Sequence, residues 1–279
     1  MRYFLVFLLL SPSLLHSQEN DYSGETRLVL FGGIMNYQGD LQPSSFSASH
    51  AKMAMGLGIS KPINRWISLR AGFTVGKIEA ADRYNRDYLK PRNLSFFSTI
   101  TELQAGIEIM ILDMRKHRFS PYIFGGIAYF GFNPWTLDKD KNKVFLQPLG
   151  TEGQGLPEYP DKKAYGLSQF SLPYAVGFRY RVTDDLEVGI EFSQRKTFTD
   201  YLDDVSSSYA DREVLLAGRG EKAVELAFRG EGPYPTAGSQ RGTPTENDWY
   251  YTTGISISYK LRRLVGSIDR RMGCPANVY

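Results

Sequence analysis

The sequence predicts an all-β chain: an eight-stranded antiparallel transmembrane β-barrel of the outer-membrane kind, with long outer loops and a short periplasmic C-terminal tail. Three observations predict it. Apolar residues recur with period two, not 3.6, in segment after segment. The connections between these segments alternate short and long, as in barrels with tight periplasmic turns and extended outer loops. Residues 1–17 read as an export signal, and nowhere do about 20 apolar residues follow one another as a membrane-spanning helix requires.

The composition agrees. Of 279 residues, 42% are hydrophobic and 23% charged, a globular balance and not a disordered one. Eighteen Tyr, 17 Phe and 27 Gly favour strands and turns. A formal charge of +3 gives no support to a nucleic-acid partner. The single Cys excludes an internal disulfide framework and any zinc site built on two thiolates.

In chain order, the signal comes first: Arg2 supplies its positive end, residues 3–10 its apolar core, and Ser17 the small residue before the cut. No Cys follows the cut, so lipoprotein anchoring is not expected. Residues 18–261 then form the barrel. Candidate strands are 27–37, 52–63, 67–75, 99–112, 122–132, 169–182, 186–195 and 250–261. Residues 27–37 and 122–132 alternate poorly because glycines interrupt them. Residues 99–112 alternate cleanly, with Leu103, Ala105, Ile107, Ile109 and Ile111 opposite Glu102, Gln104, Gly106, Glu108 and Met110. In residues 169–182, Phe170, Leu172, Tyr174, Val176 and Phe178 oppose Ser171, Ala175, Gly177, Arg179 and Arg181. The short connections are 64–65, 113–120 and 183–185; the long ones are 38–51, 80–98, 133–166 and 197–249. Both ends of the barrel then lie on the short-turn, periplasmic side.

A lipocalin-like barrel or a β-sandwich is the soluble alternative, with apolar residues inside. Here the polar face carries Gly and Ser as well as charge, and small residues suit the inside of a narrow barrel. Trp66, Phe96, Phe97, Tyr122, Phe132, Trp135, Trp249, Tyr250 and Tyr259 cluster near strand ends, as interfacial girdles would.

With the apolar faces toward lipid, Arg70, Glu102, Glu108, Arg179, Arg181, Glu187, Glu191 and Arg195 point into the lumen. Four acids against four bases suggest a mutually neutralised plug, since a buried charge must be paired or stay wet. A glycosidase-type carboxylate pair, Glu102 with Glu108 or Glu187 with Glu191, is the sharper alternative, but a filled eight-stranded barrel leaves no room for a sugar.

Other candidate chemistry is sparse. Of three His, His16 leaves with the signal and His117 lies in a periplasmic turn; His50 follows Ser49, a weak echo of barrel lipid hydrolases. Residues 199–204 (TDYLDD) with Asp211 and Glu213 could offer oxygen ligands to Ca²⁺, without the spacing of an EF-hand loop. No cofactor motif is present. Residues 213–229 have helical patches, so the longest outer loop is expected to be ordered and either to cap the barrel or to meet a partner.

Several stretches carry a family resemblance: RFSPYIFGGIAYFGFNP (118–134), LQPLGTEGQGLP (146–157), KTFTDYLDDVS (196–206), LAGRG (216–220), GSQRG (238–242) and NDWY (247–250). With these the chain resembles the PorG-type outer-membrane barrels of Bacteroidetes. The resemblance implies a non-catalytic outer-membrane component of the type IX protein secretion system. Such a component is associated with the periplasmic ring of the PorK lipoprotein and PorN, and in some members that system serves gliding motility. A paralogue acting as a lipid hydrolase or as a solute or structural barrel is the alternative. The distinctive motifs fall on the outer side, whereas the implied ring is periplasmic. Residues 262–279 form the expected periplasmic tail, with Arg262, Arg263, Arg270 and Arg271 against Asp269 alone. The expectation is that this tail docks on the ring and that Cys274 forms a disulfide with a ring subunit, the lipoprotein.

Overall fold

The computed structural model describes residues 26–42 and 50–261. The export signal, Ser49, and the tail with Arg262, Arg263, Arg270, Arg271 and Cys274 lie outside the described residues. Eight long strands, β1 (Arg27–Gln38), β2 (Lys52–Pro62), β3 (Ile67–Ala81), β4 (Ser95–Met110), β5 (Phe119–Gly131), β8 (Ser168–Arg181), β9 (Leu186–Thr197) and β10 (Trp249–Lys260), pair antiparallel in chain order. The sheet closes where β1 meets β10, with Arg27 opposite Lys260 and Gln38 opposite Trp249. Two short strands, β6 (Trp135–Leu137) and β7 (Lys143–Phe145), form a hairpin that joins β4 through the Phe97–Trp135 pair. Helices α1 (Arg212–Arg219) and α2 (Glu221–Ala227) stand in the last outer loop.

The short turns are made by their own polar side chains. Asn64 Oδ1 accepts the amides of Trp66 and Ile67, at 2.8 and 2.9 Å. Thr183 Oγ1 accepts those of Asp185 and Leu186. Such residues offer the backbone a local alternative to the ladder, so the strand reverses there.

Alternation then sorts the faces. Leu103, Ile107, Ile123, Ile127, Val176, Phe178, Ile190, Ile255 and Ile257 are exposed on the barrel exterior, while Glu102, Glu108, Arg179, Glu187, Glu191 and Arg195 are buried inside. An apolar exterior around a charged interior is the inverse of a soluble barrel, and the protein is an outer-membrane barrel. β3 and β4 run longer than their alternation suggests. Beyond the apolar band their outward residues become polar, and Glu79 there accepts Lys52 at 2.8 Å. The wall thus rises above the lipid.

Ile190 sits in the middle of this band, opposite Phe178 on one side and Ile255 on the other, and is 60% exposed. Ile190→Arg is expected to lower barrel stability by about 2–4 kcal/mol, as a guanidinium near the midplane of the bilayer does. Urea titration of the barrel refolded in vesicles, followed by heat-modifiable migration on gels, checks this. Unchanged stability would mean that this face does not meet lipid.

Four of the nine aromatics expected in the girdle lie inside instead. Trp66 and Tyr259 are exposed at the periplasmic end, but Phe96, Tyr122, Phe132 and Tyr250 are buried. Phe96, Tyr122 and Tyr250 occupy inward positions of their strands, where parity overrides nearness to a strand end. Phe96, Phe130 and Tyr250, with Met35, Tyr37, Ile78 and Ile100, form an apolar core that fills the outer half of the lumen. It continues into the loops through Leu146, Tyr165, Leu202, Val205 and Leu226. A second small core, Leu156, Ala210, Leu215, Ala223 and Ala227, lies under the two helices.

Candidate functional site

Two polar clusters account for nearly all buried charge: one in the lumen, one in the outer cap. In the lumen, Glu102 from β4 receives Arg195 from β9 in a bidentate pair, Nε to Oε2 at 3.1 Å and Nη2 to Oε1 at 3.0 Å. Tyr250 from β10 donates to the same carboxylate at 2.6 Å. Arg195 also donates to Thr252 Oγ1 at 2.7 Å. Deeper toward the periplasm, Glu108 holds Arg179 at 2.7 Å and Arg70 at 3.2 Å. Arg70 reaches across to Glu191, Nη2 to Oε1 at 2.7 Å, and Tyr122 donates to Glu191 at 2.7 Å. Glu187 closes the series with Arg27 at 3.2 Å.

Seven of the eight predicted lumen residues are therefore brought together: Arg70, Glu102, Glu108, Arg179, Glu187, Glu191 and Arg195. Arg181 is a correction. It lies at the last residue of β8, half-buried in the periplasmic mouth, and makes no ion pair among the described residues. The fourth base of the plug is Arg27, which the sequence reading missed because Gly32 and Gly33 interrupt the alternation of β1. Tyr122 and Tyr250 were expected at the lipid interface and instead complete the carboxylates. Gly177 makes room for one of them: a Cβ there would lie 2.5 Å from the Tyr122 ring.

Each of the four carboxylates faces a guanidinium, so the glycosidase pairs Glu102–Glu108 and Glu187–Glu191 have no free partner to act on a sugar. His50 packs against Tyr84 with its ring tilted, centroids 3.7 Å apart. The proposed Ca²⁺ ligands are dispersed: Asp211 caps α1 by accepting the amides of Glu213 and Val214, and Glu213 is exposed. Among the described residues no three His, Cys, Asp or Glu side chains form a metal-holding group.

The second cluster is built by the distinctive loop motifs. Glu152, from LQPLGTEGQGLP, accepts Arg241 Nη1 of GSQRG at 2.9 Å, the Ser206 amide at 2.9 Å and the Ser207 hydroxyl at 2.6 Å. Asp204, from TDYLDD, accepts Thr151 Oγ1 at 2.6 Å and Tyr165 at 2.7 Å, and Arg241 donates to its carbonyl. The Arg241 carbonyl accepts Arg92, which in turn pairs with Asp82 at 2.6 Å. Arg241, Glu152 and Asp204 are all fully buried.

Beside this knot lies an acidic set without a guanidinium of its own. The Tyr37 hydroxyl sits 2.6 Å from Asp203 Oδ2 and 2.9 Å from Asp248 Oδ1. Its one hydrogen serves one carboxylate, so the other must keep a proton to satisfy the contact. Burial pushes Asp203 well up, with Asp40 adding to it, and pushes Asp248 well up, with Asp203 and Asp200 adding to it. Burial, then Asp203, Asp40 and Glu152, pushes Asp200 up to about 9. Burial raises Asp204 to about 6, against the pull of Arg241 and its two hydroxyl donors.

These shifts have a sign. A carboxyl raised in the folded state binds a proton that the unfolded chain releases near its ordinary value of about 4. The stability it contributes is full below about 4 and is lost as pH rises, through about 6 for Asp204 and about 9 for Asp200. The cap's amide protection in hydrogen exchange is therefore expected to fall as pH rises from about 5 to about 9, and Asp200→Asn should flatten the upper part of that fall. A flat profile in the native protein would contradict it.

Against known proteins, the family model described as a domain of unknown function (DUF6089) matches residues 2–148. No curated protein matches the chain in sequence. Among solved structures, it is similar to the neisserial surface protein NspA, at 8% identity and a TM-score of 0.43, over 85% of this chain and 97% of that one. It is similar to Ail, the attachment invasion locus protein of Yersinia pestis, at 9% identity and a TM-score of 0.42, over 85% and 99%. The outer membrane protein OprG of Pseudomonas aeruginosa matches at 9% identity and a TM-score of 0.39, over 85% and 98%.

Proposed function

We propose, for a chain that belongs to the DUF6089 family, that this outer-membrane barrel is a non-catalytic component of the type IX protein secretion system. In this reading it anchors the periplasmic ring of PorK and PorN at the outer membrane. One observation supports it most: the barrel is closed inside. Among the described residues, four carboxylates and four guanidiniums pair with one another below an apolar core, which supports a plugged barrel over a conducting or catalytic one. A barrel without a lumen function acts through its surfaces.

The resemblance to PorG-type barrels supports the specific machine. The stretches that carry it supply Glu152, Asp203, Asp204, Arg241 and Asp248, which are buried in the outer cap, and this supports reading those motifs as structural. In this reading the outer motifs hold the cap together, and the contact surface for the periplasmic partner lies at the other end.

The test is a clean deletion in the native organism together with detergent purification of the tagged protein. Cargo with the C-terminal sorting domain is expected to be made and to accumulate inside the envelope, and PorK and PorN are expected to co-purify. Cargo reaching the surface normally would remove the protein from this system.

A further inference from the structure

At the periplasmic end the barrel opens into a cavity of about 260 Å³. Six basic side chains line it and three acidic ones. Two of the acids are already held, Asp113 by Arg115 at 3.3 Å and Glu187 by Arg27 at 3.2 Å, and Asp184 is exposed. Arg65 and Arg181 form no ion pair among the described residues. Arg27 is 8% exposed, and its Nη1 has no hydrogen-bond acceptor among them. A buried guanidinium N–H without an acceptor is costly, and a carboxylate is the group that relieves it best.

We propose that this mouth is a binding site for an acidic polypeptide segment presented from the periplasm. The proposal rests on the protein serving a periplasmic partner and names the chemistry that partner brings. Three features select the occupant. The basic groups come from β1, the β2–β3 turn, the β4–β5 turn and the end of β8, so they ring the opening and suit several spaced carboxylates better than one compact anion. Arg27 and Arg179 are inward residues of their strands, so they face the barrel axis and not the lipid headgroups. The third feature is the charge of the chain on either side of the barrel. Residues 18–25 carry Glu19, Asp21 and Glu25, while residues 262–279 carry four Arg against one Asp. The three acids before the barrel are thus no more than the net +3 of the residues after it, and in the lining Arg27, Arg115 and Arg179 already face Glu187, Asp113 and Glu108, so Arg65 and Arg181 are the guanidiniums left for a partner's carboxylates.

Fluorescein-labelled octaglutamate and the full-length barrel in a non-ionic detergent test this by fluorescence polarisation. Saturable binding that weakens with added salt is expected, as is a loss of about tenfold or more in affinity in the Arg65→Ala, Arg181→Ala double variant. Both positions stand at the rim without an ion pair, so heat-modifiable folding should be retained. Lys139→Glu in the outer cap is expected to bind as the native protein does. Equal affinity in the double variant overturns the proposal. So does displacement by inorganic phosphate at concentrations equal to the peptide, which would make the mouth a simple anion site. If octaglutamate binds only after Glu19, Asp21 and Glu25 are changed to Gln, the chain's own segment is the occupant and the partner is excluded. Failure of PorK and PorN to co-purify while octaglutamate still binds at the mouth would overturn the secretion reading and leave the acidic-segment site standing.

Discussion

Arg195→Ala is expected to cost the barrel about 3–5 kcal/mol, the largest single effect in the lumen. The Arg195 guanidinium is 2% exposed and binds both oxygens of Glu102, which is itself fully buried. Removing it leaves Glu102 with only the Tyr250 hydroxyl and takes the donor from Thr252. An uncompensated carboxylate in a space too narrow for bulk water must take up a proton or open the wall. The double variant Arg195→Met with Glu102→Gln should recover part of the loss, because the pair's attraction is largely offset by the desolvation of its members. Urea unfolding in vesicles of the two singles and the double gives the coupling directly. Additive losses would show that the two side chains do not act as a pair.

Arg241→Ala is expected to release the outer cap while leaving the barrel folded. Arg241 binds Glu152 and the carbonyls of Asp204 and Ala227, and its own carbonyl receives Arg92. Its guanidinium ties the loop before β8 to the β9–β10 loop, so its loss leaves Glu152 and Asp204 buried without their counter-charge at a cost of about 3–5 kcal/mol to the cap. Protease cleavage within residues 147–165 and 205–247 should rise sharply, with heat-modifiable migration of the barrel unchanged. Arg241→Lys should restore little, since one ammonium cannot span a carboxylate and two carbonyls at once. A protease-resistant cap in Arg241→Ala would show that the loops hold together through their apolar cores alone.

How much of this was legible in the sequence depends on the element. β4, β8 and β9 were readable because each alternates without interruption: Glu102 and Glu108, Arg179, and Glu187, Glu191 and Arg195 each recur at even spacing within a strand. β1 was not, since Gly32 and Gly33 erase the pattern that would have assigned Arg27 to the lumen. The hairpin of β6 and β7 was missed because strands of three residues carry too few positions to show a period. The ends of β3 and β4 were underestimated because above the lipid their outer face turns polar, as Lys77 and Glu79 show.

The sequence by itself determined the number of long strands, the faces of those that alternate without interruption, the short turns and the charge type inside the lumen. All of these are local, set by which side of a pleated strand a residue occupies. Only the tertiary structure decided the pairing: that Arg70 serves Glu108 and Glu191, that Tyr122 donates to Glu191 and Tyr250 to Glu102, and that Arg241 meets Glu152 across 89 positions. Strand parity says which way a side chain points but not what stands opposite. That depends on the register and closure of the whole sheet and, for the cap, on the packing of loops far apart in the chain.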